Sequence, residues 1–507
     1  MQTQKADANG GAGNAGHFLA SPHAALVATA CLILVLFAWH MQSLGQGGLS
    51  QFDEYYTYER SIGFALHNDW WSVYSSNAPT LKKPPLQYWM SAAFMQMGLS
   101  DLLALRLPSA IFGFGAFIAT AMLAHAIVPQ KPWAMFASVL FLASFLSIWQ
   151  SLTSAMLDGG AIFFTTFGFW AFFKAWQAPK LWFLFIAATF LAGLQKGPTP
   201  LGFFVFGVLG LALTAMILPV KMPDGLSKKK LFAIFWIAFS VAFVWQFFQL
   251  ARYGGPEALS GNFEGEMIGR FTPSLAAATD SDLISFARMM LGQGSEAILR
   301  GAGLLAVVAL PFLTRRYELM AAVGMVAFFA LIMWMASGNV YARYVLVILP
   351  LLCVCLAGTI ASLPVQPIPK IAVTALFVVV SQGPIKPIER LGLAAPARFD
   401  PPLSVLLPQL PPLMSTVGAE ETPMVICAQN RETRIPRGAI TVYAAPRRDF
   451  HYDRDGDGLH RAQRQSDQNQ MQGLCTEVEF TDYSPDLRDV IKTPIAGPYF
   501  FWRGTLK

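Results

Sequence analysis

Eleven long apolar stretches divide this chain: residues 23–42, 104–127, 132–150, 159–176, 181–195, 198–219, 231–250, 297–314, 317–336, 344–363 and 369–385. About twenty apolar residues in a helix cover the roughly 30 Å of a bilayer's hydrocarbon. Only helices and closed barrels satisfy their backbone groups there, so stretches of this length require a bundle of spanning helices. Composition agrees, with 54% hydrophobic and 13% charged residues where a soluble domain carries about a quarter charged. The expected fold class is a polytopic α-helical membrane protein of about eleven transmembrane helices.

Lysine and arginine orient it. With the N-terminus in the cytosol, the inner short loops hold Lys131, Lys174, Lys180, Lys221, Lys228, Lys229, Lys230, Arg315, Arg316 and Lys370, and the outer short loops hold Lys196 and Arg343. This is the positive-inside bias, and it explains a net charge of +6 without nucleic acid as a partner. Residues 1–22 are Gly/Ala/Asn-rich and are expected to be a disordered cytosolic terminus. The first span lacks a cleavage pattern and reads as a retained anchor. Parity then puts two long loops, 43–103 and 251–296, and the region after 385 on the outer face, with Asp158, Lys196 and Arg343 at outer span edges.

Residues 23–385 therefore form the membrane domain, and 386–507 a small outer-face α/β or α+β domain. VICA, AITVYAA, TEVEF and PYFFW read as its strands. Cys427 and Cys475 are expected to pair in an oxidising compartment. The run DRDGDG (453–458) imitates a calcium loop, but the twelfth position falls on Arg464, which cannot coordinate a cation.

Loop 43–103 contains QFDEYYTYERSIGFALHNDWW and NAPTLKKPPLQYW. Two amphipathic patterns, Phe52/Tyr55/Tyr56/Ile62/Leu66 and Leu86/Trp89/Met90/Ala93/Met97, predict two helices lying in the interface, with aromatic rings as anchors. Asp53 and Glu54 sit on the first. Consecutive helical residues point about 100° apart, so one carboxylate can face a cavity as a general base while the other holds the helix. Lys82 and Lys83 beside them suit an anionic lipid phosphate; headgroup anchoring is the plainer use of such lysines.

The ordered set Asp53-Glu54, DWW, KKPPLQYW, LLALRLPSA, LDGGAIFF, LAGLQKGPTPL, NFEGEMIGRF and YARYVLVILPLL resembles the GT-C class of integral-membrane glycosyltransferases, in the branch of lipid A aminoarabinose transferases and protein mannosyltransferase-like proteins. The resemblance covers roughly 23–363. It implies inverting transfer of a sugar from a polyprenyl-phosphate donor to a glycolipid, glycan or protein acceptor. Asp53 matches the catalytic base, with Glu54 and Asp158 supporting. Lys83, Lys82, Lys196, Arg343 and Arg270 match or neighbour donor-phosphate ligands, and Glu264, Glu266 and Tyr344 lie in matching cavity segments. Where some members carry an acidic metal-holding residue before the K-P-P lysine, this chain has Lys82; no metal ligand is assigned, and a divalent cation is the one cofactor left open. The rival readings are a lipid or glycan transporter (a flippase) without transferase chemistry, and a membrane scaffold.

Overall fold

The computed structural model describes residues 21–42, 44–46, 52–75, 78–81, 83–220, 226–253, 281–292, 294–335, 342–381, 424–427, 450–452, 470–481, 484–496 and 499–507. The N-terminal twenty residues, Lys82, Glu264, Glu266, Arg270, the AITVYAA strand and the DRDGDG run lie outside them.

In chain order the first elements are α1 (Pro22–Met41), α2 (Phe52–His67), β1 (Tyr74–Ser75), β2 (Ala78–Pro79), α3 (Leu86–Gln96), α4 (Asp101–Ile127), α5 (Trp133–Ala143), α6 (Leu146–Thr153) and α7 (Asp158–Gln177). They are followed by α8 (Trp182–Gln195), α9 (Thr199–Ala215), α10 (Lys228–Ala242), α11 (Val244–Tyr253), α12 (Ser281–Leu291), α13 (Glu296–Thr314), α14 (Met320–Met335), α15 (Leu349–Ser362) and α16 (Pro367–Ser381). The C-terminal part adds β3 (Met424–Cys427), β4 (Phe450–Tyr452), β5 (Gln470–Thr476), α17 (Glu477–Phe480), β6 (Leu487–Ala496) and β7 (Tyr499–Leu506).

Every one of the eleven apolar stretches carries helix. By length and composition, however, four described helices are able to cross a membrane alone, or up to six when each bent pair counts once. The stretch 132–150 is not one straight helix: α5 and α6 meet at 73°. The stretch 231–250 breaks between α10 and α11 at 45°. Hydropathy registers only total apolar length, and a break of two or three residues leaves that sum unchanged.

The chain divides into two compact units. One comprises Met1–Ser43, Pro108–Thr153 and Leu157–Leu393; the other comprises Leu44–Leu107, Ser154–Met156 and Ala394–Lys507. The first is the helical body. Its core is aromatic-rich, with Phe117, Phe141, Phe145, Phe169, Phe172 and Phe185 fully buried. Its surface is apolar too. On α1 the residues Ala25, Thr29 and Ile33 face inward at a spacing of four, while Leu26, Val27, Leu34 and Val35 face out. A helix apolar all round with one packed stripe belongs in lipid. This chain is an integral membrane protein.

Without a hydrophobic drive between helices, close approach depends on small residues. At the α9/α14 crossing a Cβ on Gly324 would stand 2.2 Å from the Phe206 carbonyl oxygen, and one on Gly210 would stand 3.1 Å from the Gly324 Cα.

In the second unit, α2 packs on α3. The connection between them carries the β1/β2 hairpin, with Trp70 stacked on Phe64 at 5.5 Å and Trp89 Nε1 donating to the Trp70 carbonyl at 2.6 Å. Of the expected apolar stripe of α3, Ala93 and Met97 are exposed, Met97 by 73% at the C-cap, while Leu86, Trp89 and Met90 are half-buried. Gln87, Tyr88, Ser91 and Ala92 form the buried face. Tyr55 is buried in α2 and so is no interface anchor, whereas Trp71 is exposed.

The C-terminal sheet has the order β4-β3-β5-β7-β6, with β4, β3 and β5 parallel and β5, β7 and β6 antiparallel. TEVEF is not a strand: β5 ends at Thr476, and residues 477–480 turn into α17 so that Phe480 packs on Phe500 and Trp502. Cys427 and Cys475 are register partners on β3 and β5 and are joined as a disulfide, beneath the Trp502 indole.

Gly324→Val is expected to force α9 and α14 apart and lower the melting temperature of detergent-purified protein by several degrees. An unchanged melting curve would show that the crossing tolerates a side chain.

Candidate active site

The second unit has a core built from charge. Arg106, in the first turns of α4, is 0% exposed and forks onto Glu54, also 0% exposed, with Nε to Oε1 at 3.0 Å and Nη2 to Oε2 at 3.4 Å. Its Nη1 donates to the carbonyls of Leu44 at 3.3 Å and Gln46 at 2.9 Å. The Ala155 N–H donates to Glu54 Oε1 at 2.8 Å. A dehydrated pair of this kind is tolerable only when its remaining donors and acceptors are met, and here they are.

Glu54 is thus the holding carboxylate. Asp53, one residue earlier on α2, remains partly exposed, and its carbonyl accepts from the Thr57 hydroxyl at 3.1 Å. Lys83 lies just before buried Pro84 and Pro85, which lead into α3, and is half-buried. Tyr58 donates to Asp101 at 2.5 Å. Arg60 Nη1 donates to the Tyr88 hydroxyl at 2.9 Å.

The helical body has its own polar centre. Helices α7 and α8 are consecutive, joined by a short 3-10 turn at Pro179–Leu181, and they pack on each other, so the start of one meets the end of the other. Asp158 is the first residue of α7 and Lys196 the C-cap of α8; Nζ and Oδ1 are 2.5 Å apart. Both charges suit their helix termini. The two glycines after Asp158 allow this closeness: a Cβ on Gly159 would sit 2.8 Å from the Ser109 carbonyl oxygen, and one on Gly160 would sit 2.3 Å from the Gln195 side chain. Gln195 in turn donates to the Leu157 carbonyl at 3.2 Å. Lys196 Nζ is 4.9 Å from the centre of the Tyr344 ring, a cation–π arrangement. Arg343 precedes Tyr344 on the 3-10 turn Ala342–Val347 and is partly buried.

The structure therefore brings together Asp158, Lys196 and Tyr344 in one unit, and places Asp53, Glu54 and Lys83 in the other. Among the described residues, no three of His, Cys, Asp and Glu come together as a metal site. Motif reading passed over Arg106, Arg60 and Tyr88 as individual residues. One signal was available for Arg106: an arginine at the head of an apolar stretch needs a carboxylate, and Glu54 is that carboxylate.

Comparisons with known proteins are consistent with the GT-C resemblance read from the motifs. Residues 27–260 match the family model described as dolichyl-phosphate-mannose-protein mannosyltransferase. The fold is shared with ArnT from Cupriavidus metallidurans bound to undecaprenyl phosphate, at 13% identity and a TM-score of 0.65 over 94% of this chain and 97% of that one. The apo state of the same ArnT gives 14% and 0.64. The arabinofuranosyltransferase AftD from Mycobacteria matches at 13% identity and a TM-score of 0.52, over 96% of this chain and 40% of that one. No curated protein matches by sequence.

Glu54→Gln is expected to leave the Arg106 guanidinium buried against a neutral amide and to cost about 3–5 kcal/mol. Adding Arg106→Met should restore part of the lost melting temperature. No recovery in the double variant would show that the pair is not the coupled unit.

Proposed function

We propose that this protein is an inverting glycosyltransferase that moves a sugar from a polyprenyl-phosphate donor to a glycolipid, glycan or protein acceptor on the outer face of the inner membrane. The observation that carries the reading is the division of labour between two adjacent carboxylates. Glu54 is fully buried under Arg106, while Asp53 stays partly exposed. A carboxylate on a helix whose rotation is locked by its neighbour is held ready for proton abstraction.

In the proposed reaction Asp53 takes the proton of an acceptor hydroxyl as its oxygen attacks the anomeric carbon. The bond from that carbon to the phosphate oxygen breaks with its electron pair, and the polyprenyl phosphate departs. A phosphate leaves readily without an acid, so the protein's part is to offer positive charge to it. Lys83 is assigned to that role in the second unit. Lys196 is assigned to it in the helical body, aimed by Asp158 and the Tyr344 ring. Lys82, Arg343 and Arg270 remain further candidates for the phosphate, and Glu264 and Glu266 for the acceptor side. ArnT, whose structure holds undecaprenyl phosphate, supports the donor class.

The transporter reading draws on the two bent helix pairs, because broken helices are common in transporters. One assay separates the readings. Membranes are given labelled polyprenyl-phosphate sugar, and products are compared between wild type and Asp53→Asn at equal expression. Transfer is expected to fall by about a hundredfold or more in the variant with the fold intact. Equal transfer by the two would remove Asp53 from the chemistry. Movement of donor across the bilayer without any product would establish transport.

A further inference from the structure

The second unit holds another cation on different terms from Arg106. Among the described residues, the single hydrogen bond of Arg60 goes to the Tyr88 hydroxyl, no carboxylate stands within ion-pair distance, and its Nε is buried without an acceptor. Tyr88 is 1% exposed. Its oxygen already accepts from Arg60, so its own proton remains to be donated. The Tyr56 and Tyr88 rings lie 5.4 and 5.6 Å from the Arg60 guanidinium carbon.

A half-buried guanidinium held by a phenol and two ring faces is under-compensated. Cation–π contacts contribute modestly, whereas a missing oxyanion costs more. Charge on neighbouring groups points the same way. Burial pulls the Arg60 pKa down, yet Tyr88, Glu59 and Tyr56 together hold it above the ordinary arginine value, so the group stays charged. Burial raises Tyr88 and Arg60 lowers it; Asp53 and Glu59 both push it further up, so the phenol keeps its proton. The cluster thus presents N–H and O–H donors, and Asp53 is near enough for its charge to be felt at Tyr88. Asp53, Tyr56 and Arg60 also share one stripe of α2, at i, i+3 and i+7. Arg60 itself is only partly covered, so a ligand can reach it.

We infer that Arg60 and Tyr88, with Tyr56, form an oxyanion subsite that receives a phosphate-class group of a substrate two helical turns from Asp53. The bound oxyanion supplies the ion-pair partner that Arg60 lacks, and the phenol proton completes its hydrogen bonding. The inference rests on the reading that α2 lines the substrate site. Two sources offer this chemistry, the lipid phosphate of the donor and a phosphate carried by the acceptor.

The test is binding to full-length protein in nanodiscs, with undecaprenyl phosphate as the donor-type probe and glucosamine 1-phosphate as the acceptor-type probe. Arg60→Gln is expected to weaken one probe by about tenfold or more, since charge-assisted hydrogen bonds are the strong ones. Whichever probe weakens identifies the source, and weakening of both means both phosphates use the subsite. Affinities within about twofold of wild type for both probes, or no binding of either probe to the wild type, would overturn the inference. Should Arg60→Gln fail to fold, Tyr88→Phe, which keeps the ring, decides by the same thresholds. Asp53→Asn, measured beside it, should bind both probes at least as tightly as wild type does and lose transfer. Retained transfer in that variant would sink the base assignment while leaving the Arg60 result standing.

Discussion

A guanidinium stripped of water must find its hydrogen bonds inside the protein, and in this chain that requirement organises everything around α2. Arg106 takes both oxygens of Glu54 and the carbonyls of Leu44 and Gln46; Glu54 takes the Ala155 N–H as well. Four separate stretches of chain therefore meet at one ion pair. Replacing it with hydrophobes of similar size would not imitate the arrangement, because the carbonyls and the N–H would then be orphaned. The pair also sets the rotation of α2. With Glu54 turned fully inward, the residue before it is carried about 100° round the axis, to a side where it stays partly exposed.

The helical body solves a similar problem with helix ends. The carboxylate of Asp158 sits where α7 begins and the ammonium of Lys196 where α8 finishes, so each is favoured by its own helix before they meet. Two glycines then remove the side chains that would hold the helices apart. The Tyr344 ring gives the ammonium a second soft partner without neutralising it. A lysine held this way keeps its aim, which a free surface lysine does not.

Much of this was legible in the sequence, and the gaps have physical causes. Apolar runs announce themselves by sheer length, so all eleven stretches proved helical. The kinks between α5 and α6 and between α10 and α11 were invisible, because a short break changes no hydropathy sum. TEVEF has alternating apolar residues, but Phe480 is drawn down onto Phe500 and Trp502, and that tertiary contact turns the segment into a helix. Asp53, Glu54, Asp158 and Lys196 stood out as charges at the margins of apolar runs. Arg60 and Tyr88 did not, since their significance lies in meeting across two helices, 28 residues apart in sequence. On α3 the pattern recorded periodicity without saying which side is the inside, and the buried face is Gln87, Tyr88, Ser91 and Ala92.

That orientation has a consequence for the region. Helix α3 turns Gln87, Tyr88 and Ser91 inward beside Ala92 and leaves Ala93 and Met97 exposed, so polar side chains share its inner face while two apolar ones stay outside. Exposed apolar side chains of this kind belong against lipid or another apolar surface.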